Sequence, residues 1–373
     1  MKNFINLFAF IYQFLLKPIF FLLNPEFVHV QIVKTGELLG KYSFTKSAVS
    51  KIFELRDPSL EQKIAGIKFQ NPVGLAAGFD YEARLTQILP AVGFGFETVG
   101  TITNKPYGGN PKPMLGRLPK SRSLMVNKGF KNLGADETIR KISNLNFQIP
   151  IGVSIGRTNS RDLPTQKESI EDMVCAFKKF ETAKLRIAYY ELNISCPNLF
   201  GNISFYPPGN LKELLTEVEK LNIKKPIFIK MPIEKSNQEV LKILEVISDF
   251  TIKGVIFGNL QKKRNDPAIF QDEVSKFKVG NFSGKPTEKR SNELIKLCYQ
   301  NFKKRFVIIG CGGIFSGQDA YKKIMLGASL VQLITGMVFQ GPQLIGQINL
   351  ELIKLLKQDG FNNISEAIGS FDI

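Results

Sequence analysis

The chain has 373 residues, which is enough for one large (β/α)₈ barrel with a small appended module. Hydrophobic residues make up 43% and charged residues 22%, a composition that excludes extensive disorder. The 50 Lys and Arg against 33 Asp and Glu give a net charge of +17. This charge favours an anionic partner such as a phospholipid surface, or reflects a lysine-rich composition alone. The basic residues form no tight run, so no nucleic-acid partner is expected.

The cysteine and histidine content limits the chemistry. Four cysteines lie far apart without a C-x-x-C pair, and His29 is the single histidine. Zinc and iron–sulfur sites need clustered thiolates or imidazoles, so no metal is expected. The single histidine also excludes a Ser-His-Asp triad and a histidine base in the barrel. Widely spaced thiols fit a reducing, cytosolic environment.

The N-terminal segment is strongly apolar. Residues 4–16 carry no charge, Lys17-Pro18 interrupts the run, and the apolar sequence resumes to Leu23. The continuous run is shorter than the roughly 20 residues that span a bilayer, and Pro18 is expected to break or kink the helix. A second helix is predicted from about Pro25 to Leu39. Two short apolar helices predict a patch that lies on a membrane surface; a signal peptide, or a hairpin packed only on the barrel, remains an alternative.

From residue 72 onward, short apolar runs alternate with amphipathic segments long enough for helices. This alternation is typical of repeated βα units and a parallel sheet. Eight such units favour a closed α/β TIM barrel, in which the active site lies at the carboxyl ends of the strands. The predicted strands are 73–77, 96–100, 151–156, 189–195, 226–231, 254–259, 306–313 and 329–336.

The last two predicted strands end in glycine-rich sequences, GCGGI at 310–314 and ITG at 334–336. Loops at these two positions of a barrel commonly bind a phosphate group through backbone N–H groups. Tight turns without a ligand are the alternative. Lys230 ends the fifth strand, where its ammonium would stabilise an electron-rich ring such as a reduced flavin, or pair with a neighbouring carboxylate.

The segment Asn193-Ile194-Ser195-Cys196-Pro197-Asn198 places two amides and a thiol at one strand end. Amide side chains donate to and accept from a planar imide-like ligand. Cys196 could act there as a general base if its pKa is lowered, whereas most free cysteines are small buried apolar residues.

The chain resembles the dihydroorotate dehydrogenases through NPVGLAAGFD, NISCPN, FSGKP, IIGCGGI and VQLITG…FQGP, in this order from about Asn24 to Ile345. The sequence NPE followed by His29 is similar to the entry of the N-terminal extension in the membrane-bound, quinone-using class. The resemblance implies an FMN barrel that oxidises dihydroorotate to orotate, with Cys196 at the position of the catalytic base. It implies FMN contacts from Ala77, Gly78, Asp80, Thr101, Ser154, Asn193, Lys230, Gly258, Gly284, Gly313, Thr335 and Gly336. It implies substrate contacts from Asn127, Phe130, Lys131, Asn193, Asn198 and Asn259.

Several positions depart from the family pattern. The quinone-using class usually has a serine base, and a cysteine is typical of the soluble class. Tyr81 stands where a lysine that touches flavin and substrate is expected, and Lys131 is expected to supply part of the missing charge. The other departures are Val126 for an amide, Lys131 for an Asn beside Phe130, Ser154 for an FMN-binding Asn, and Leu199 and Leu260 for hydroxyl residues.

These observations predict an N-terminal membrane and quinone-tunnel extension over residues 1–50 and an FMN-binding barrel over residues 62–360. The expected reaction passes electrons from dihydroorotate through FMN to a quinone, in pyrimidine biosynthesis. The expected location is peripheral, on the cytoplasmic face of a membrane. Two alternatives remain: an FMN barrel acting on another dihydropyrimidine or an enoate-like substrate, and a weakly active membrane-associated flavoprotein.

Overall fold

The computed structural model describes residues 2–195, 198–201 and 203–372. The helices and strands below are those of the described residues. The strands are β1 (Gln62–Ile64), β2 (Ile67–Phe69), β3 (Val73–Leu75), β4 (Phe96–Ile102), β5 (Leu115–Leu118), β6 (Ser123–Val126), β7 (Ile151–Ile155), β8 (Tyr189–Asn193), β9 (Ile227–Met231), β10 (Gly254–Phe257), β11 (Asn281–Phe282), β12 (Val307–Cys311) and β13 (Leu330–Leu333).

Eight of these strands form a closed parallel barrel in the order β3-β4-β7-β8-β9-β10-β12-β13. All eight predicted strands are barrel strands, so the predicted (β/α)₈ fold is confirmed. The barrel strands are buried along nearly their whole length, which explains their continuous apolar runs. Aromatic side chains close the lower part of the barrel, where the Phe96 ring packs edge-on against Phe69 at a centroid distance of 5.4 Å. The polar ends of the strands therefore point to the opposite mouth.

The helices surround this barrel and precede it. They are α1 (Lys2–Ile11), α2 (Lys17–Leu22), α3 (Pro25–Lys41), α4 (Ser43–Phe53), α5 (Leu89–Val92), α6 (Ala135–Ile142), α7 (Gln166–Thr182), α8 (Pro208–Glu219), α9 (Asn237–Ser248), α10 (Gln271–Val274), α11 (Glu288–Phe302), α12 (Gly317–Met325), α13 (Thr335–Gln340) and α14 (Leu344–Gln358). Local sequence starts several of them: Thr165 and Ser236 each form a capping box with a glutamate three residues on.

The expected break at Pro18 does not occur, because the helix continues from α1 into α2 through a π-helical turn at Tyr12–Leu16. Proline lacks the N–H that a regular helix would use, and the wider turn lets the chain pass without a break. Phe4–Leu22 is thus one 19-residue helix of mean hydropathy 1.7, long and apolar enough to cross a membrane. It contacts the barrel domain along its length, however: the Ile5 side chain is fully buried and Tyr12 Oη donates to the Val338 carbonyl.

Helix α3 follows after a turn at Asn24. The Asn24 side chain accepts hydrogen bonds from the N–H groups of Glu26 and Phe27, and Pro25 occupies the first helical position. The helix ends at Lys41, two residues beyond the predicted end at Leu39. Its His29 reaches the first loop of the barrel, so the extension is attached directly to the barrel mouth.

A small antiparallel sheet of order β11-β6-β5 was not predicted from the sequence. Its strands are inserted in the loops after β4 and β10, at the mouth of the barrel. The short strands lack a long alternating pattern, and β11 has only two residues. The insertion supplies one wall of the cavity described next.

Candidate active site

The carboxyl ends of the barrel strands open into a cavity of about 310 Å³. Ala77 and Thr101 line it from the first two barrel strands, and Lys230 lines it from the fifth. The opposite wall comes from the N-terminal helices through Tyr12, Phe20, Phe21, Val28 and His29. One continuous space therefore joins the barrel mouth to the extension.

A second, narrower cavity of about 100 Å³ adjoins the first and shares Ala77, Lys230 and Thr335 with it. It is lined by Gly312, Gly313 and Gly336 of the two predicted phosphate loops and by Gly258 and Gly284. A Cβ at Gly336 would lie 1.9 Å from the Ile314 carbonyl oxygen, so only glycine fits there. The backbones of the two glycine-rich loops therefore pack closely against each other beside the narrow cavity.

Three amides stand at the ends of β8 and β10. Asn193 Nδ2 donates to Thr101 Oγ1 at 2.9 Å, and Asn259 Nδ2 donates to the Ser195 carbonyl at 2.9 Å. Asn198 Nδ2 donates to the Val126 carbonyl at 3.2 Å, and its Oδ1 accepts from Asn281 at 2.7 Å. All three amides line the cavity, as does Phe130. Together they present donors and acceptors to a planar polar ligand.

A polar chain lies beneath Asn193. Thr101 Oγ1 is 2.9 Å from Ser154 Oγ, and Ser154 donates to Glu191 at 2.7 Å. Because the Ser154 proton points to the carboxylate, Thr101 donates to Ser154 and accepts from Asn193. Lys230 Nζ lies 3.8 Å from the same Glu191 oxygen, so the carboxylate also holds the lysine at the mouth.

The loop after β8 is held in place by further amides. Asn110 Nδ2 donates to the Asn198 carbonyl at 3.0 Å, and Asn159 Oδ1 accepts from the Phe200 N–H at 2.6 Å. Arg157 donates to the Phe200 carbonyl at 2.7 Å. Cys196, the residue predicted as the base, lies outside the described residues. Ser195 before it and Asn198 after it are held by hydrogen bonds from Asn259 and Asn110.

Most of the sequence-predicted site residues line the two cavities. The residues that do so are Ala77, Gly78, Thr101, Phe130, Lys131, Asn193, Asn198, Lys230, Gly258, Asn259, Gly284, Gly313, Thr335 and Gly336.

Three predicted site residues do not line either cavity. The Asp80 carboxylate is buried and accepts from the N–H groups of Arg84 and Leu85. Burial raises the pKa of Asp80, an effect that these two hydrogen bonds oppose. The Ser154 hydroxyl is buried among Thr101 and Glu191, and Asn127 accepts from Asn110 at 3.1 Å. These side chains support the site from behind it.

Among the departures from the family pattern, Tyr81, Val126 and Leu260 line the large cavity, whereas Leu199 does not. The Tyr81 ring stacks on His29 with centroids 5.5 Å apart. Lys128 Nζ lies 4.4 Å from the centre of the Tyr81 ring. Burial raises the pKa of Tyr81 to about 12, so its hydroxyl remains neutral at physiological pH.

Sequence reasoning missed two cationic residues of the cavity, Lys128 and Arg117. Arg117 donates to the Leu23 carbonyl at 2.7 Å and its guanidinium lies 4.8 Å from the centre of the Phe21 ring. It thereby joins β5 to the N-terminal helices. The signal that could have found Lys128 is its position in KGFKN, one residue before Gly129. Among the described residues, no group of three or more His, Cys, Asp and Glu is placed to hold a metal ion.

Comparisons with known proteins agree with this geometry. The family model described as dihydroorotate dehydrogenase matches residues 59–356. A protein of Trichodesmium erythraeum named dihydroorotate dehydrogenase (quinone) is 35% identical, with 96% of this chain and 98% of that protein covered. A protein of the same name from Christiangramia forsetii is also 35% identical, with coverage of 92% and 99%.

Solved structures show the same likeness. A crystal structure of DHODH from Eimeria tenella in complex with ferulenol superposes with a TM-score of 0.77 at 29% identity, covering 88% of this chain and 95% of that one. The ligand-free structure from the same organism gives a TM-score of 0.76. The fold, the matched family model and the near full-length relatives together show that this chain belongs to the dihydroorotate dehydrogenase family, with its named relatives in the quinone-dependent class.

Proposed function

We propose that this chain oxidises dihydroorotate to orotate in pyrimidine biosynthesis and passes the electrons through FMN to a quinone. The observation that carries the proposal is the single cavity that joins the amide cluster at the barrel mouth to the apolar N-terminal helices. Its inner end offers polar groups to a pyrimidine ring, and its outer end offers apolar side chains to a hydrophobic electron acceptor. The relatives are named for a pyrimidine substrate, dihydroorotate, and for a hydrophobic acceptor, quinone, which fits the two ends of the cavity.

The residues present fit FMN. The narrow cavity of about 100 Å³ has room for one phosphate group and lies at the two glycine-rich loops. The close packing of these loops requires glycine, because added Cβ atoms at Gly313 and Gly336 would lie 2.3 Å from Glu288 Cβ and 1.9 Å from the Ile314 carbonyl oxygen. Thr335 and Ser283 add hydroxyls whose oxygens are 2.8 Å apart. We assign FMN binding to these cavities through Ala77, Gly78, Thr101, Asn193, Lys230, Gly258, Gly284, Gly313, Thr335 and Gly336. Asp80 and Ser154 contribute by holding neighbouring groups.

FMN, when bound, supplies the hydride acceptor for the reaction. Within this proposal, Asn193, Asn198 and Asn259 orient the pyrimidine ring, and Phe130 limits its position in the cavity. Cys196 removes the proton from C5 of the substrate, from a loop whose ends are fixed by Asn159 and Asn259. Lys230, held by Glu191, places positive charge at the barrel mouth, where the reduced cofactor would gain negative charge.

We further propose that residues 1–50 form the membrane and quinone extension and residues 62–360 the FMN barrel. The extension exposes large apolar side chains that its own barrel leaves uncovered. They are Phe4, Leu7, Phe10, Phe14, Leu15, Ile19, Leu22, Leu23, Phe27, Val30, Ile32, Leu38, Tyr42 and Phe44. With the charge of +17, this face suits peripheral binding to an anionic membrane surface. The free thiols of Cys175, Cys298 and Cys311 are compatible with the reducing cytoplasmic side.

The test is anaerobic mixing of the purified holoprotein with dihydroorotate. Bleaching of the flavin absorbance, followed by its return on addition of a short-chain quinone, is the expected result. Protein that dithionite bleaches but millimolar dihydroorotate does not would reject this substrate. Bleaching by a dihydropyrimidine without a carboxylate would then favour the alternative reaction, which the presence of Tyr81 and Val126 in the cavity makes worth testing.

A further inference from the structure

Lys128 stands between the end of β6 and a turn formed by Gly129 and Phe130, both of which have positive φ, at 63° and 64°. The turn reverses the chain immediately after the lysine. Lys128, Phe130 and Lys131 all line the large cavity as a result. The Lys128 side chain is half-buried, and its exposed side faces the large cavity.

The Lys128 ammonium has no hydrogen-bond acceptor and no ion-pair partner among residues 2–195, 198–201 and 203–372. The two carboxylates that attract it are used elsewhere: Glu26 accepts from the Met114 N–H at 2.8 Å, and Glu82 accepts from Arg84 at 2.7 Å. A lysine held away from water without a counter-ion is costly. Burial, followed by repulsion from Lys131, lowers the pKa of Lys128 to about 7.

The Tyr81 ring offsets part of that cost. Lys128 Nζ lies 4.4 Å from the ring centre, a cation–π contact worth about 0.5–2 kcal/mol. The ring is itself fixed, because it stacks on His29 and is almost fully buried. The contact holds the ammonium at one place in the cavity while leaving its hydrogen-bond donors unused.

Lys128 differs from the other two lysines of the cavity, Lys131 and Lys230, in its surroundings. Lys230 has Glu191 at 3.8 Å. Lys131 lines a small neighbouring cavity in addition to the large one, so its side chain is shared between two spaces. Of the three, Lys128 lines only the large cavity, and among the described residues no carboxylate pairs with its ammonium.

We infer that Lys128 binds the carboxylate of the substrate, with Lys131 as a secondary cation and Tyr81 as the platform that positions the ammonium. The assignment rests on the proposed function, since dihydroorotate and orotate carry one carboxylate beside an imide-like ring. The amides of Asn193, Asn198 and Asn259 satisfy the ring and carry no charge. The cavity thus divides recognition between neutral donors for the ring and one lysine for the carboxylate.

The experiment measures orotate binding to the oxidised holoprotein through the change in its flavin spectrum. Lys128→Met should weaken orotate binding about 10- to 150-fold, which corresponds to the roughly 1.5–3 kcal/mol of a charged hydrogen bond. FMN content should stay that of the parent. Lys128→Arg should stay within about threefold of the parent, and Lys131→Met should lose less than Lys128→Met. Lys178→Met, which removes an exposed lysine of α7, is the matched control and should change nothing.

The pH profile separates a direct role from a structural one. Lys128 faces Lys131, Glu26, Glu82, the neutral His29 ring and the neutral Tyr81 hydroxyl. Since its pKa is about 7, the parent should lose orotate affinity by up to tenfold for each pH unit above 7. The Arg variant should show no such loss up to about pH 9, because guanidinium stays charged. The Met variant should be weak throughout.

Orotate binding by Lys128→Met at the parent affinity, or a larger loss in Lys131→Met, would overturn the assignment. So would a parent protein that binds no orotate. A parent protein that binds orotate but is not bleached by dihydroorotate would overturn the proposed function alone, and the comparison of the Lys128 variants would still decide the carboxylate assignment. If Lys128→Met loses FMN, its orotate affinity cannot be compared with that of the parent. In that case the carboxylate assignment would be overturned by a Lys128→Arg variant whose orotate affinity falls above pH 7 as that of the parent does.

Discussion

Nε2 of His29 lies 2.9 Å from the carbonyl oxygen of Phe79 and joins helix α3 to the first loop of the barrel mouth. Burial, with the charge of Lys128, lowers the pKa of His29 to about 3, so the ring is neutral at physiological pH. A carbonyl only accepts, and Nε2 therefore carries the proton. This bond connects the extension with the loop that contains Gly78.

Replacing His29 with alanine should slow electron transfer to quinone more than flavin reduction by dihydroorotate. The change removes one hydrogen bond and the stacking on Tyr81, together about 1–2 kcal/mol. We expect a fall of roughly 5- to 30-fold in flavin reoxidation by quinone, and less than threefold in flavin reduction at saturating dihydroorotate, both measured by stopped-flow absorbance. Thr35→Ala, at an exposed polar residue of the same helix, is the control. Equal slowing of both half-reactions would contradict this role.

The apolar face of the N-terminal helix should determine membrane binding. Phe10 and Phe14 are 59% and 66% exposed and lie side by side, with ring centroids 4.7 Å apart. Burying two such side chains contributes about 3 kcal/mol or more. Phe10→Ser combined with Phe14→Ser should therefore reduce partitioning into anionic vesicles roughly 100-fold in a sedimentation assay.

The matched control for this pair is Phe270→Ser, a change at a residue outside the N-terminal helices that is 53% exposed. Flavin reduction by dihydroorotate should be unchanged in both proteins. If the Phe10 and Phe14 variant still sediments like the parent, then this face does not contact the membrane.

Gly336 tests the assignment of the phosphate group to the narrow cavity. An added Cβ would meet the Ile314 carbonyl at 1.9 Å, and forced overpacking costs about 1–3 kcal/mol. Gly336→Ala should therefore lower FMN affinity about 5- to 150-fold, measured as flavin released during dialysis. Gly209→Ala is the control, since its Cβ would meet nothing within 4 Å. Full FMN retention in Gly336→Ala would place the phosphate elsewhere.

The barrel could be predicted because its strands are buried on both faces and therefore appear as continuous apolar runs with polar ends. The N-terminal helix could not be predicted as one element. Pro18 is a strong helix breaker in a regular α-helix, and the sequence gives no sign of the π-helical turn at Tyr12–Leu16 that accommodates it. The sheet of β5, β6 and β11 was missed because tertiary contacts, not a local pattern, stabilise such short strands.

The site was predictable at its flavin side, where glycines are required by close backbone approach. The site was less predictable where the direction of a side chain decides whether it lines the cavity. Ser154 lies on β7 beside Glu191 of β8 in the strand register, and its hydroxyl is used by that carboxylate. Lys128 was missed because the family motif directs attention to Asn127 and Lys131, while the two positive-φ residues after it bring Lys128 to the cavity.

Cys196 is the residue on which the chemical step of the proposed reaction depends. Cys196→Ala should retain FMN, because every proposed phosphate contact is on other loops. It should slow flavin reduction by dihydroorotate on the order of 10²–10⁴-fold, the usual contribution of a positioned base. Single-turnover stopped-flow absorbance measures this step without quinone.

Cys196→Ser distinguishes a base from a residue that only shapes the loop. A hydroxyl is a weaker acid than a thiol, whose ordinary pKa is about 8.5, so the serine variant should keep partial activity and reach its maximum rate at a higher pH than the parent. A residue that only packed in the loop would tolerate serine, which is similar in size, without a change in the pH profile. Alanine that reduces its flavin at the parent rate would show that the proton leaves through another group, and Asn159→Ala, which frees the Phe200 N–H, would then test whether the loop position alone controls the rate.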